Sequence, residues 1–165
     1  MFIEIIASFL SALSFGVLFN IKGKRVIAAA LGGGLGWFVY KLCLSYPIGE
    51  STSYFISAIC FSIYCEICAR IYKTPATTLT VCCLIPLVPG YGIYNTMYSF
   101  IVGDYIKAID YGVNTLSIAG ALALGVIFIS TIFRNFNLHM VIDKMLKYFT
   151  KGNIGRKKLE NKLVD

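Results

Sequence analysis

Chemistry in this sequence could come from two places. One is the segment Leu84-Ile85-Pro86-Leu87-Val88-Pro89-Gly90-Tyr91, and the other is the pair Glu66 and Arg70. Proline has no N–H and clashes with the carbonyl four residues earlier. Pro86 and Pro89 therefore free the carbonyls of Cys82 and Ile85, and Gly90 permits backbone conformations open to few residues. A break of this kind aims half-helix N–H groups at anions and carbonyls at cations, provided the freed groups face protein, water or a ligand. The competing reading is a kink that only shapes packing. Tyr94 and Asn95 follow about one turn later, placed to add hydrogen bonds to a bound anion.

Glu66 and Arg70, four residues apart, share a helix face. They are the only charge pair the sequence places within an apolar stretch, where ionisable groups are expensive and face a bundle interior or a cavity. Glu66 reads as a proton carrier or sensor, tuned by desolvation against the Arg70 charge. Alternatively the two form an ion pair at the helix end, with Arg70 snorkelling to headgroups.

The other chemically suggestive residues carry less. Cys65-Glu66-Ile67-Cys68 has C-x-x-C spacing and Cys82-Cys83 follows it. A zinc site needs four converging ligands, however, and redox motifs of this type normally open a helix in a soluble fold. Small apolar packing residues are the better reading. The single His139 supports neither a triad nor a metal site, and Gly32–Gly36 lacks the strand and basic context of a phosphate loop. No enzymatic function, cofactor or metal is expected.

These residues need elements to position them, and composition says what those are. The chain has 165 residues, 58% hydrophobic and 14% charged, with mean hydropathy +0.75. A soluble domain carries about 45–50% apolar and about 25% charged residues, so the surplus belongs in lipid. Five apolar stretches approach the roughly 20 residues that span a bilayer: about 2–21, 26–46, 53–71, 77–102 and 111–133. The expectation is an all-α integral membrane protein with five transmembrane helices, the fourth broken at the Pro-x-x-Pro-Gly segment. The first stretch contains Glu4 and has no basic flank before it, so it reads as a retained span rather than a signal peptide.

Charge orients the spans. The net charge of +7 sits mostly in Lys22–Arg25, in Arg70–Lys73 and after Arg134. Lys41 and Glu50 fall in loop two, and Asp104, Lys107 and Asp110 in loop four. Loops one and three and the tail are thus the basic ones, which places the N-terminus outside and the C-terminus in the cytoplasm of a cell-membrane protein. This flanking pattern argues against nucleic acid as partner. Residues 1–133 form the membrane domain. Residues 134–165 form a basic tail in which Leu138, Val141, Ile142, Met145 and Phe149 recur at the spacing of an amphipathic helix on the lipid surface. Small residues four apart (Ser8, Ala12, Gly16; Ala28, Gly32, Gly36; Ala121, Gly125) mark faces where helices approach closely.

With the spans placed, a series of stretches stands out. It comprises Leu13–Asn20, Gly34-Leu35-Gly36-Trp37, Glu66-Ile67-Cys68-Ala69-Arg70, Lys73-Thr74-Pro75-Ala76, Ile85–Gly90 and Gly103-Asp104-Tyr105. In this order they resemble the threonine/serine exporter family, specifically its smaller module, over about residues 8–130. The resemblance implies secondary export of small carboxylate-bearing metabolites: threonine and serine, or dicarboxylates such as succinate. It also implies a larger partner subunit. The substrate would meet the break at Pro86, Pro89 and Gly90, with Tyr94 and Asn95 beside it and Glu66 with Arg70 coupling the proton. The basic tail and the cysteine-rich spans depart from the resemblance. A non-transporting scaffold or regulatory subunit, or a passive channel, remains the alternative.

Overall fold

Long apolar runs punctuated by left-handed stops give this chain its helices. In the computed structural model, residues 2–135 are described. The surface helix expected around Leu138–Phe149, with His139, lies outside the described residues. The chain divides into two compact units, Met1–Ser130 and Thr131–Asp165. The first unit holds every described helix in full except the last, whose final residues belong to the second.

Six helices follow one another among the described residues: α1 (Phe2–Leu18), α2 (Lys24–Leu44), α3 (Glu50–Ile71), α4 (Ala76–Leu84), α5 (Gly90–Val102) and α6 (Tyr105–Asn135), with a 3-10 turn at Ile85–Leu87 between α4 and α5. There is no strand among the described residues. Three helices end in the same way. Asn20, Lys73 and Gly103 adopt positive φ of 57°, 50° and 86°. After α1, the Ile21 N–H bonds the Gly16 carbonyl and the Asn20 N–H that of Val17; Thr74 with Ala69 and Asp104 with Ser99 repeat the longer bond. This left-handed cap satisfies carbonyls that a helix end otherwise orphans.

The chain is an all-α membrane protein. By length and composition α2, α3 and α6 can each cross a bilayer, and α4 with α5 passes the same test as a pair bent by 52°. Helix α1, at 17 residues, is about 25 Å long against a hydrocarbon core of about 30 Å. The five expected stretches are therefore all helical, but three, or four with the bent pair, have full spanning length. Two loops hold fewer charges than expected: α3 and α6 begin before the stretches 53–71 and 111–133, and Lys41, counted with loop two, lies within the stretch 26–46. Lys41 lies inside α2 and Glu50 opens α3, while Lys107 and Asp110 lie inside α6, leaving only Asp104 in that turn.

Small residues set the packing. A Cβ on Gly33 would stand 2.5 Å from the Ala12 Cβ, and one on Gly125 would stand 2.6 Å from the Ala58 Cβ. These glycines bring α1 onto α2 and α6 onto α3 at backbone range, as close membrane packing requires. The core lies between α2, α3 and α4, around Phe61, Cys65, Leu79, Cys82, Cys83 and Leu87. Buried hydroxyls tie the helices together: Ser8 donates to the Gly33 carbonyl at 2.9 Å, and Ser57 to that of Gly36 at 2.6 Å. Arg25 donates to the Tyr72 carbonyl at 3.2 Å, so loops one and three share one end of the bundle.

Candidate functional site

The break forms as the prolines dictate. Pro86 has no N–H for the Cys82 carbonyl, and α4 gives way to the 3-10 turn. The Ile85 carbonyl does find a partner, the Val88 N–H at 3.2 Å. Pro89, at φ −75° and ψ 63°, is the centre of an inverse γ-turn, closed by the Gly90 N–H on the Val88 carbonyl at 2.7 Å. Helix α5 then starts in a new direction. Gly90 does not take a left-handed conformation, contrary to the role its type suggests, and a Cβ there would meet nothing within 4 Å. The crowded glycine near the break is Gly92, which rests on the Thr115 side chain.

One side of the break is anchored in the core by Leu87, while Pro86 faces a cavity. That cavity, of about 280 Å³, is lined by Glu4, Ala7, Ser8, Ser11, Trp37 and Pro86. A neighbouring one of about 200 Å³ is lined by Glu4, Lys41, Leu44 and Ser45. Glu4 is common to both. Helical spacing explains the wall: Glu4, Ser8 and Ser11 recur along one face of α1, and Trp37 and Lys41 along one face of α2. The Glu4 carboxylate pairs with the Lys41 ammonium at 2.9 Å and accepts the Trp37 indole N–H at 3.3 Å. The Lys41 ammonium stands 6.0 Å from the centre of the Trp37 ring, within cation–π range. Both charges remain accessible, with 28% of the Lys41 side chain and 43% of the Glu4 side chain exposed. The site is an ion pair with an aromatic donor, open on one side to a cavity and walled by the broken element.

This pair corrects the expectation that Glu66 and Arg70 are the only charges paired within the apolar helices. Counting Lys41 as a loop charge, although it falls within the apolar stretch 26–46, hides its approach to Glu4. The signal is nevertheless present in the sequence. In an antiparallel hairpin, residues equally far from the loop face each other, as Gly16 faces Val26 and Ser8 faces Gly33; Glu4 and Trp37 follow the same rule.

The remaining expected site residues are dispersed. Glu66 and Arg70 sit half-buried near the end of α3, with the Arg70 charge acting on the Glu66 carboxylate. That is the basic end of the bundle, opposite the Glu4–Lys41 pair, and neither residue lines either cavity. Tyr94 is 65% exposed on α5 and stacks on Tyr98 with ring centres 6.1 Å apart. Asn95 donates to the Tyr91 carbonyl of its own helix at 2.9 Å. Of the expected set, only Pro86 reaches the cavity. The cysteines cluster in the core, with the Cys65 thiol 3.4 Å from the Cys83 sulfur and the Cys83 thiol donating to the Ala29 carbonyl at 3.3 Å. Among the described residues no group of three or more His, Cys, Asp or Glu stands where it could hold a metal ion.

No solved structure matches the chain. The family model described as Threonine/Serine exporter, ThrE, matches residues 4–132. That match runs from Glu4 through the break and almost to the end of α6, so it contains every element of the site. The chain therefore belongs to the threonine/serine exporter family and is a membrane transport module of that type.

Proposed function

We propose that this chain is one subunit of a secondary exporter that moves threonine and serine out of the cell together with a larger partner subunit of the same family. The observation that carries the reading is the broken α4–α5 element, whose first proline walls a cavity that also exposes Glu4, the carboxylate of an accessible ion pair. Transporters place substrate where discontinuous helices meet such cavities, and alternating access then exposes the site to each side in turn. Transport rather than catalysis is the activity. Glu66 carries or senses the driving proton and Arg70 pairs with it, one turn apart at the basic end of α3. The half-helix after Pro89 and Gly90, with Tyr94 and Asn95, forms the substrate's route or gate.

Orientation follows from charge. Lys22, Lys24, Arg25, Arg70 and Lys73 collect at the bundle end where Arg25 meets Tyr72. By the positive-inside rule that end is cytoplasmic, the N-terminus is outside, and the Glu4–Lys41 pair opens toward the outer face. A larger subunit suits the exposed face of α5. Tyr91, Tyr94 and Tyr98 are 77%, 65% and 55% exposed, and phenol hydroxyls facing lipid would lack hydrogen-bond partners.

Reconstitution into vesicles, with and without the larger subunit, tests the reading. The expected outcome is saturable threonine or serine flux that follows a proton gradient and requires both subunits. Non-saturating flux would make the protein a channel, and no flux of any substrate would make it a scaffold. Gly90→Leu should abolish export while the protein still inserts, because the side chain fills the open space beside the break.

A further inference from the structure

An ion pair between two helices normally serves as a tie, yet Glu4–Lys41 is poorly placed for that role alone. Helices α1 and α2 are already held by the Gly33–Ala12 approach and the buried Ser8–Gly33 hydrogen bond. The pair instead stands where two cavities meet, partly solvated, beside the indole of Trp37. Its two charges are opposite and adjacent, which is the complement of a molecule carrying one ammonium and one carboxylate on the same carbon.

We propose that the two adjoining cavities that meet at Glu4, one reaching the 3-10 turn and the other Lys41, bind an α-amino acid as its zwitterion, by partner exchange with the Glu4–Lys41 pair. The ligand ammonium takes the place of Lys41 on the Glu4 carboxylate, and the released Lys41 ammonium takes the ligand carboxylate. Trp37 and Pro86 form the apolar wall, and Ser11 adds a hydroxyl. This assignment rests on the exporter reading and deepens it by giving the substrate a binding site and a reason for the site to prefer zwitterions. A ligand that met only one partner of this partly solvated pair would leave the other charge without its counterion. A zwitterion re-pairs both charges and leaves the net charge unchanged. A dicarboxylate would set two negative charges against Glu4 with only Lys41 to answer them, and a diamine would meet the mirror problem at Lys41. Volume agrees: about 280 Å³ lies just under the ~300 Å³ at which pockets for drug-sized ligands begin, room for a small metabolite.

Trp37 is the chain's only tryptophan and donates to Glu4, so its fluorescence reports on this exchange without a label. The full chain in lipid nanodiscs is titrated with threonine, serine, succinate and a short diamine. The expected result is a saturable change in Trp37 emission with threonine and serine and none with succinate or the diamine. Glu4→Gln and Lys41→Met should each weaken the response about tenfold or more, as loss of a charge-assisted hydrogen bond does. Circular dichroism verifies that both variants keep their helices, and Glu4→Asp, which retains the charge, should recover part of the affinity. A response to succinate in place of threonine, no response to any probe, or unchanged affinity in both variants would overturn the proposal. Flux in the two-subunit vesicles separates this failure from that of the exporter reading. Intact threonine flux in Glu4→Gln and Lys41→Met leaves an exporter whose site is elsewhere. A Trp37 response without any flux leaves a binding site without an exporter.

Discussion

Helices α2 and α3 bury 50% and 44% of their most apolar stretches, whereas α6 buries only 22% of its own. The contrast extends to composition. The half built from α1 to the 3-10 turn is lined by Gly32, Gly33, Gly34, Gly36, Ala28, Ala29 and Ser57, all buried. The α5–α6 half shows Ile101, Ile106, Val113, Leu116 and Leu124, all more than 60% exposed. Lipid explains why both are stable. Between membrane helices apolar area gives no driving force, so association comes from close packing and hydrogen bonds. Small residues and hydroxyls therefore mark the half that holds itself together, and large aliphatics mark the half left to lipid or to a partner. Helix α6 joins the two: Gly125 presses on Ala58, and Ile118 and Leu122 enter the core.

The hardest blow to this contrast is a methyl group in the packed half. Gly33→Ala would set a Cβ 2.5 Å from that of Ala12, and overpacking of this kind costs about 1–3 kcal/mol. At the next residue a Cβ on Gly34 has only ordinary contacts, the nearest being the Phe9 Cβ at 3.6 Å. Thermal unfolding of the two variants in detergent should show a marked loss for Gly33→Ala and little or none for Gly34→Ala. Equal stability in both would mean that α1 and α2 are not pressed together at Gly33.

Hydrogen bonds come next. Tyr64 donates to the Ala28 carbonyl at 3.1 Å and Ser57 to that of Gly36 at 2.6 Å. Tyr64→Phe and Ser57→Ala should each cost about 1 kcal/mol, the net worth of such a bond. Both carbonyls lie within α2, so neither loses its only donor. No comparable cost is expected for Ser117→Ala on α6, whose hydroxyl meets Ser51 at an exposed position 3.1 Å away.

Much of this was legible in the sequence, for a physical reason. Hydropathy reports the solvent of a segment, and small residues at spacing four report close packing, so the helices and the faces marked by Gly16, Gly32, Gly36 and Gly125 could be read directly. The break could be read because proline chemistry is local. What could not be read is where each charge goes, because that depends on which helix faces meet. Lys41, inside the stretch 26–46, counts as a flanking charge until α2 is seen to turn it toward α1, and Glu4 has meaning only once its partner is known. Gly90 misleads for the opposite reason. Its type suggests a special backbone, while Pro89 makes the turn and leaves Gly90 in ordinary helical geometry.

Smaller effects belong to the open half. A Cβ on Gly90 or Gly120 meets nothing within 4 Å, so alanine at either should change stability by no more than about 0.5–1 kcal/mol, and in the favourable direction, since helical glycine is the weaker choice. Tyr94→Ala and Asn95→Ala should stay within about 0.5 kcal/mol, as exposed substitutions do. Export assays sharpen the comparison. If α5 contacts the partner or the substrate, Tyr94→Ala and Asn95→Ala lower flux at unchanged stability, whereas Gly33→Ala lowers both. Flux unaffected by either α5 variant would assign that face to lipid alone.

The least effect is expected at the α5–α6 turn, where the interactions are exposed and local. Asp104 caps α6 by accepting the Lys107 N–H at 3.2 Å and pairs with the Lys107 ammonium at 2.8 Å. The Lys107 side chain, and then its backbone N–H, hold the Asp104 carboxyl below its ordinary value of 3.8. A carboxylate depressed in the folded state stabilises it above the unfolded value and loses that contribution as pH falls through the folded one. The cap should therefore be intact at neutral pH and fail only under acid, below about pH 4. Asp104→Asn keeps a capping oxygen but removes the titration, so its first α6 turn should fray independently of pH while the wild-type turn frays on acidification. Amide exchange at Lys107 and Ala108, taken as the ratio of variant to wild type at each pH, isolates this from the intrinsic rate. Salt should shrink the difference because both side chains are solvated. The Ser8–Gly33 and Ser57–Gly36 bonds contain no titrating group, so exchange within α2 should not follow the same curve. If it did, the turn and the packed half would unfold as one unit, and the division between them would be one of exposure alone.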